Sequence, residues 1–492
     1  MNIARQLAWL AAALILAGAA VLALSKPSAP EAGWPKKIQI VLDNAKPLAF
    51  PRANRFPLYL WPAMDPGKLD GARVEALVRE LDRRGIGLVS TWAVEKREES
   101  LAAALAVGRA QKKLDLAVNI NATPLLYSVF NGDPGTAHVD DTGKPFFDDS
   151  FGKDHKLGCP FAMEARLPVI RERVESCLRA YKKAGLSVDF IWADWEVDGP
   201  LEVNRAHAAA LRCRRCREKI SDVGNFLSFQ KVVRDLRSRV QREVYASPVR
   251  EAFPGALVGN YAVYPHNGFR EWYDYFEEYE DGQPYIPDQK AKYRHWANEF
   301  ETTGYTFAMP VVYPWARLFG WYDFAEADYR WFYNMLLVAS NAGESAPPSL
   351  PVIPFVHWHP IDAAKYPDSA FKPFSAGNYQ ELLWHMLLRG ADTFYMWCGE
   401  MEYPEEVRLL HEVYAAAQEY GEFLDKGVPV TFSVPSSPAP VVSALRLGDR
   451  LLVRRTDFGG VKGPLTVEFA GQKVAIPESP GRCRILELRT RS

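Results

Sequence analysis

The chain has no excess of either charge: 59 lysines and arginines offset 60 acidic residues over 492 positions, for a net charge of −1. A surface that binds nucleic acid needs a cationic surplus, so that partner class is excluded. Cysteine is scarce, six in all, too few to hold together a disulfide scaffold of this length. Cys213-x-x-Cys216 is the one close pair, set in the short basic run 212–217. A zinc site there needs two more ligands, and no second CxxC or HxxxH supplies them. The expectation is therefore a local disulfide, with zinc the lesser alternative; no metal residue and no cofactor are assigned. Cys159, Cys177, Cys398 and Cys483 carry no readable pairing.

Long apolar runs are also missing, with one exception. Arg5 precedes residues 7–24, an apolar stretch without charge, and Ala23-Leu24-Ser25 resembles a small-residue cleavage site. This reads as an export signal over residues 1–25, or as an N-terminal membrane anchor, since the run is just long enough to span a bilayer. The body of the protein is expected outside the cytoplasm: secreted, periplasmic or anchored. Residues 26–50 read as a Pro/Ala/Ser-rich linker with a leading strand at 37–42.

Abundance begins with aromatics, 13% of the chain with 14 tryptophans. From residue 56 a unit repeats: short apolar strand, loop, amphipathic helix. Strands are expected at 56–64, 87–94, 114–123, 188–196, 256–265, 305–314, 351–359 and 391–398. Helices follow at 71–84, 98–113, 165–184, 203–219 with 225–244, near 290–301, and at 325–340, 377–389 and 404–424. In the first helix Val74, Leu77, Val78 and Leu81 form one apolar stripe. Eight such units in series predict an α/β fold, a (β/α)8 TIM barrel over residues 51–425. The excess over the ~250 residues usual for that fold falls in loops after strands three, four and five, on the face where barrels build active sites. From 427 to 492 the texture changes to short strands, expected at 431–434, 441–447, 450–456, 465–469 and 483–488, between Gly, Pro, Ser and Asp turns, which predicts a small β-sandwich domain.

The fourth strand carries the chemistry. Phe190-Ile191-Trp192-Ala193 runs into Asp194-Trp195-Glu196 and breaks at Gly199-Pro200. Alternation puts Phe190, Trp192, Asp194 and Glu196 on one face, and the two acids roughly 6–7 Å apart at Cα. Like charges that close raise one pKa and can keep a carboxylic acid protonated for acid catalysis. Other strand ends offer Trp61, Asn121, Tyr261, Tyr264, Tyr313, His357, His359, Trp397 and Glu400. Acids, amides and flat rings around one cleft suit a neutral polyhydroxylated ligand, a glycan, and glycoside hydrolysis is the chemistry that uses this set. A second carboxylate is missing from strands six and seven, which is accounted for when the substrate's own 2-acetamido oxygen attacks.

Asp194-Trp195-Glu196 resembles the DWE of hyaluronidases. It also resembles the end of the chitinase signature D-x-x-D-x-D-x-E, with Asp189, Asp194 and Glu196 on three of the acidic positions and Trp192 on the fourth. The resemblance implies Glu196 as acid/base and Asp194 as the acid that orients the acetamido group. By strand position it implies Tyr313 as an acetamido hydrogen-bond partner and Trp397 as the floor of the sugar site. The hyaluronidase motif continues with an acid and an aromatic residue, where this chain has Val197-Asp198-Gly199-Pro200. The expected activity is retaining, substrate-assisted cleavage of an N-acetylhexosaminide. The alternatives are an inverting pair of Glu196 with Glu400, and a non-catalytic carbohydrate-binding barrel. The His357-x-His359 pair fits sugar contact or packing around Trp358 better than metal binding.

Overall fold

The computed structural model describes residues 34–60, 69–126, 132–149, 156–195, 206–271, 293–295, 298–314, 324–361, 372–397, 403–469 and 471–488. Two parallel sheets make the body. One runs, in spatial order, Val311–Val312, Phe355–Val356, Tyr395–Met396, Leu58–Leu60, Ile86–Gly87; the other runs Val89–Thr91, Asn119–Asn121, Phe190–Ala193, Leu257–Asn260. Sequence order and spatial order agree around this set, and helices separate successive strands except between Ile86–Gly87 and Val89–Thr91.

The expected closed barrel is met in part, because the ladder is interrupted at two seams. Leu88 alone separates Ile86–Gly87, which pairs with the first strand, from Val89–Thr91, which pairs with the third. At the other seam Thr306 N–H donates to the Val258 carbonyl at 2.8 Å, but the Val258 N–H is taken by the Thr306 hydroxyl rather than a ladder carbonyl. Gly259 is needed here, since an ideal Cβ would stand 2.6 Å from the Phe307 ring.

Alternation decides where side chains go. Phe190 and Trp192 enter one apolar cluster with Tyr59, Phe307, Phe355 and Tyr395, while Ile191, Ala193 and Trp195 enter a second cluster beneath the helices. The first cluster is a stack of rings: Tyr59 on Phe190 at 4.4 Å, Trp192 against Tyr395 at 4.4 Å and against Phe355 at 5.6 Å. Burying rings of this size contributes on the order of 2–3 kcal/mol each. The helix Gly71–Asp82 buries Val74, Leu77, Val78 and Leu81, and Asp70 caps it by accepting the Arg73 N–H.

Three local expectations are corrected. Residues 37–42 are not a strand but lie within the helix Lys36–Asn44, whose Ile38, Val41 and Leu42 follow helical spacing and pack beside the helix Tyr403–Ala417. The helix expected near 290–301 is instead a strand, Tyr293–His295, antiparallel to Phe269–Glu271, followed by the single turn Phe300–Thr303. Cys213 and Cys216 are free thiols; Cys213 precedes the helix Arg214–Lys219 and Cys216 lies inside it. A third cysteine, Cys159, joins them, its sulfur 3.7 Å from that of Cys216 and 3.8 Å from that of Cys213.

Past residue 427 the chain forms an antiparallel sheet of Val428–Pro429, Val441–Leu447, Arg450–Thr456 and Arg484–Glu487, and a hairpin, Leu465–Phe469 with Gln472–Ile476. Ala444, Leu451 and Val453 of the sheet share a small core with Phe469 and Ile476 of the hairpin. The strand Gln472–Ile476 is one the sequence reading omits. A polar network seats this unit on the body. His385 reaches Ser443 at 2.7 Å and Thr456 at 2.9 Å, Arg389 donates to Ser443 and Ser340, and Arg454 pairs with Glu381. Among the described residues no helix is long and apolar enough to cross a membrane, and residues 7–24 lie outside them.

Candidate active site

Asp194 follows directly on the fourth strand and is half-buried. Its backbone is held from both sides. The Asp194 N–H donates to Thr123 Oγ1 at 2.7 Å, and Thr123 is fixed by donating its own N–H to Asn121 Oδ1 at 2.9 Å. On the other flank Asn260, fully buried at the end of the fifth strand, accepts the Trp195 N–H at 2.9 Å and donates to the Trp195 carbonyl at 3.2 Å. Strand three and strand five thus clamp the segment that carries the acid. Trp195 itself points into the helix-side cluster, which leaves Asp194 on the ring-lined face of Phe190 and Trp192 by alternation.

Asn121 was expected to touch substrate; its side-chain carbonyl is engaged in the turn at Thr123 instead. Tyr261 and Tyr313 are brought together, their hydroxyls 2.5 Å apart. Phe355 sits edge-on to both rings, and Tyr313 stacks on Trp397 at 5.9 Å. Ala262, just after Tyr261, holds a left-handed backbone with φ of 60°, a conformation that costs a non-glycine residue roughly 1 kcal/mol or more. Tyr264 is buried in the same apolar cluster, edge-on to His266 at 5.7 Å.

At the end of the seventh strand His357 Nδ1 lies 2.6 Å from Glu406 Oε2. Glu406 is wholly buried in the first turn of Tyr403–Ala417, and its other oxygen accepts the Trp358 N–H at 2.9 Å and the Tyr379 hydroxyl at 3.0 Å. Burial first, and then the Glu406 carboxylate beside it, raise the Tyr379 hydroxyl well above its ordinary pKa. The His357 ring stands edge-on to Trp397 at 4.9 Å and 5.8 Å from His359, which is half-buried. Strands six, seven and eight therefore deliver Tyr313, His357 and Trp397 to one place. Glu406 escaped the sequence reading because it sits in a helix, where an acid in the first turn looks like an ordinary terminal charge. Glu196, Trp61 and Glu400 lie outside the described residues.

No family model matches the chain, and no curated protein matches it. Solved structures do. The chain is similar to α-L-fucosidase isoenzyme 2 from Paenibacillus thiaminolyticus, with 11% identity and a TM-score of 0.45 over 77% of this chain and 51% of that one. It is similar to the GH36 α-galactosidase AgaA from Geobacillus stearothermophilus, with 10% identity and a TM-score of 0.44 over 90% and 56%. A third is a catalytic mutant of Gan42B, a GH42 β-galactosidase from G. stearothermophilus, with 11% identity and a TM-score of 0.43 over 77% and 58%. The chain thus spans little more than half the length of these three. Superpositions this loose decide neither fold nor activity.

Proposed function

We propose that the protein is a glycoside hydrolase on a (β/α)8 framework, cleaving an N-acetylhexosaminide with retention through the substrate's acetamido group. The observation that carries this reading is the division of side chains along the fourth strand. Phe190 and Trp192 enter the ring of strand-borne aromatics, and Ile191, Ala193 and Trp195 enter the helix-side core. This supports Asp194 on the inner face at the carboxyl ends of the parallel strands; Glu196 lies outside the described residues, and its role here is carried from the sequence pattern. The similar structures carry glycosidase names, but the reading rests on the strand rather than on them.

In this scheme Glu196 protonates the glycosidic oxygen as the acetamido oxygen attacks the anomeric carbon, and the leaving alcohol departs. Asp194 accepts the acetamido N–H and balances the charge of the oxazolinium ring. Glu196, now ionised, takes a proton from water as that water opens the ring with overall retention. The Tyr261–Tyr313 hydroxyl pair is assigned here as the donor to the acetamido oxygen. Trp397 offers a flat face for the sugar. The N-terminal apolar stretch of the sequence supports a location outside the cytoplasm, tethered or released.

Purified protein assayed on N-acetylated and non-acetylated glycans tests the reading. Hydrolysis is expected on the acetylated set, with Glu196→Gln and Asp194→Asn each losing about 10²-fold or more in kcat and a thiazoline analogue of the intermediate inhibiting. Turnover unaffected by either substitution overturns it, as does indifference to the thiazoline.

A further inference from the structure

Three cysteines and a histidine from two separate stretches of chain meet in one buried cluster. His138, Cys159, Cys213 and Cys216 offer ligand atoms that all lie within 4.8 Å of one another. The sulfur of Cys159 lies 3.7 Å from that of Cys216 and 3.8 Å from that of Cys213. Zinc–thiolate bonds of about 2.3 Å in a tetrahedron set its sulfur–sulfur edges at about 3.8 Å. A disulfide needs about 2.05 Å, and the three cysteines are free thiols. The His138 ring is fully buried; neither of its nitrogens reaches a nitrogen or oxygen partner, and the Cys213 sulfur is the group it faces. A buried imidazole left so is costly unless something else takes its lone pair.

We propose that these four residues hold one structural Zn2+ ion in a tetrahedral Cys3His site. The surroundings are built for that. His138 stands on the short strand His138–Val139 with its ring stacked on Phe146 at 5.1 Å, which fixes its aim. Cys159 is locked by donating its N–H to the Thr136 carbonyl at 2.6 Å, and an ideal Cβ at the preceding Gly158 would clash with that carbonyl, so only glycine lets the two segments close. Three thiolates and one imidazole around Zn2+ leave a net charge of −1. The basic run around Cys213 and Cys216 answers it, with Arg215 also donating to the Ala137 carbonyl at 3.0 Å and Arg217 paired with Asp141. Soft sulfur donors exclude calcium and magnesium, and the tight spacing leaves room for one ion rather than a cluster with bridging sulfides.

The site has a place in the fold. His138 and Cys159 belong to the long connection after the third strand, Cys213 and Cys216 to the helices after the fourth. The ion would staple together two connections that leave the sheet on either side of Asp194. This inference stands on the cluster alone and does not depend on the proposed hydrolysis.

Full-length protein purified without chelators is expected to contain about one zinc per chain by elemental mass spectrometry, released by a mercurial thiol reagent. Protein produced in zinc-depleted medium with added cobalt should show visible d–d bands of tetrahedral cobalt and thiolate charge transfer. His138→Gln and Cys213→Ser should hold less than about a fifth of the wild-type metal, whereas Cys177→Ser, at a buried cysteine outside the cluster, should keep all of it. Should the ligand variants fail to fold, the wild-type stoichiometry and cobalt spectrum still decide. Wild-type protein free of zinc, an unreduced peptide map joining Cys213 to Cys216 or Cys159, or iron with acid-labile sulfide in place of zinc would each overturn the proposal.

Discussion

The Asn260 side chain closes on the backbone of Trp195 from both ends, accepting its N–H at 2.9 Å and donating to its carbonyl at 3.2 Å. One amide thereby replaces the ladder partners that the fourth strand loses where it ends, and it does so next to Asp194. Only an amide has a donor and an acceptor on one planar group of this length.

Replacing Asn260 by alanine should strand both Trp195 groups in a buried setting, at about 1–3 kcal/mol each before relaxation. Chemical denaturation is expected to report a loss of several kcal/mol for Asn260→Ala and a smaller one for Asn260→Asp, which keeps the acceptor. Equal stability of Asn260→Ala and wild type would show that the clamp contributes nothing.

Glu406 faces three groups at once: His357, the Trp358 N–H and the Tyr379 hydroxyl. Removal leaves three buried partners unanswered, so Glu406→Ala should destabilise by roughly 3–5 kcal/mol, read as a fall in the denaturation midpoint. Glu406→Gln retains the acceptor for Trp358 and should recover part of that loss. On the proposed glycan substrates the same Gln variant should raise KM more than it lowers kcat, because His357 lines the Trp397 platform from the side.

His385 is buried between the body and the C-terminal sheet, and burial first, then the nearby Arg389 and Arg454, hold its pKa well below the ordinary 6.5. Glu381, also at this seam, is paired with Arg454. The unfolded chain therefore binds a proton that the native chain refuses once pH drops under about 6.5. The contribution of neutral His385 is complete above that pH and is lost as pH falls toward the depressed native value. Calorimetry across this range should show the melting temperature declining on the acid side, and His385→Gln should flatten that decline. An unchanged acid slope in the variant would mean that other groups set it.

The helices were legible because their pattern repeats over short distances. Gly71–Asp82, Arg97–Lys113, Leu167–Lys183 and Ala376–Leu387 fall within a few residues of the expected bounds, and Val441–Leu447, Arg450–Thr456 and Leu465–Phe469 match their expected strands, whereas 431–434 forms none and the pairing falls earlier, at Val428–Pro429. The lapses have a common origin. Lys36–Asn44 is short enough to fit either period, and only the helix Tyr403–Ala417 beside it selects the helical one. Tyr293–His295 becomes a strand because Phe269–Glu271 is there to pair with it.

The division of the fourth strand, Phe190 and Trp192 to one side and Ile191, Ala193 and Trp195 to the other, was written in the order of residues alone, since alternation along an extended chain needs no partner to be known. The company those residues keep was not. That Glu406 lies against His357, that Asn260 closes on Trp195, and that His138 joins Cys213 and Cys216 from across the fourth strand came only with the tertiary structure. Periodicity is a property of neighbours in sequence, whereas a contact between distant segments depends on how every element between them has packed.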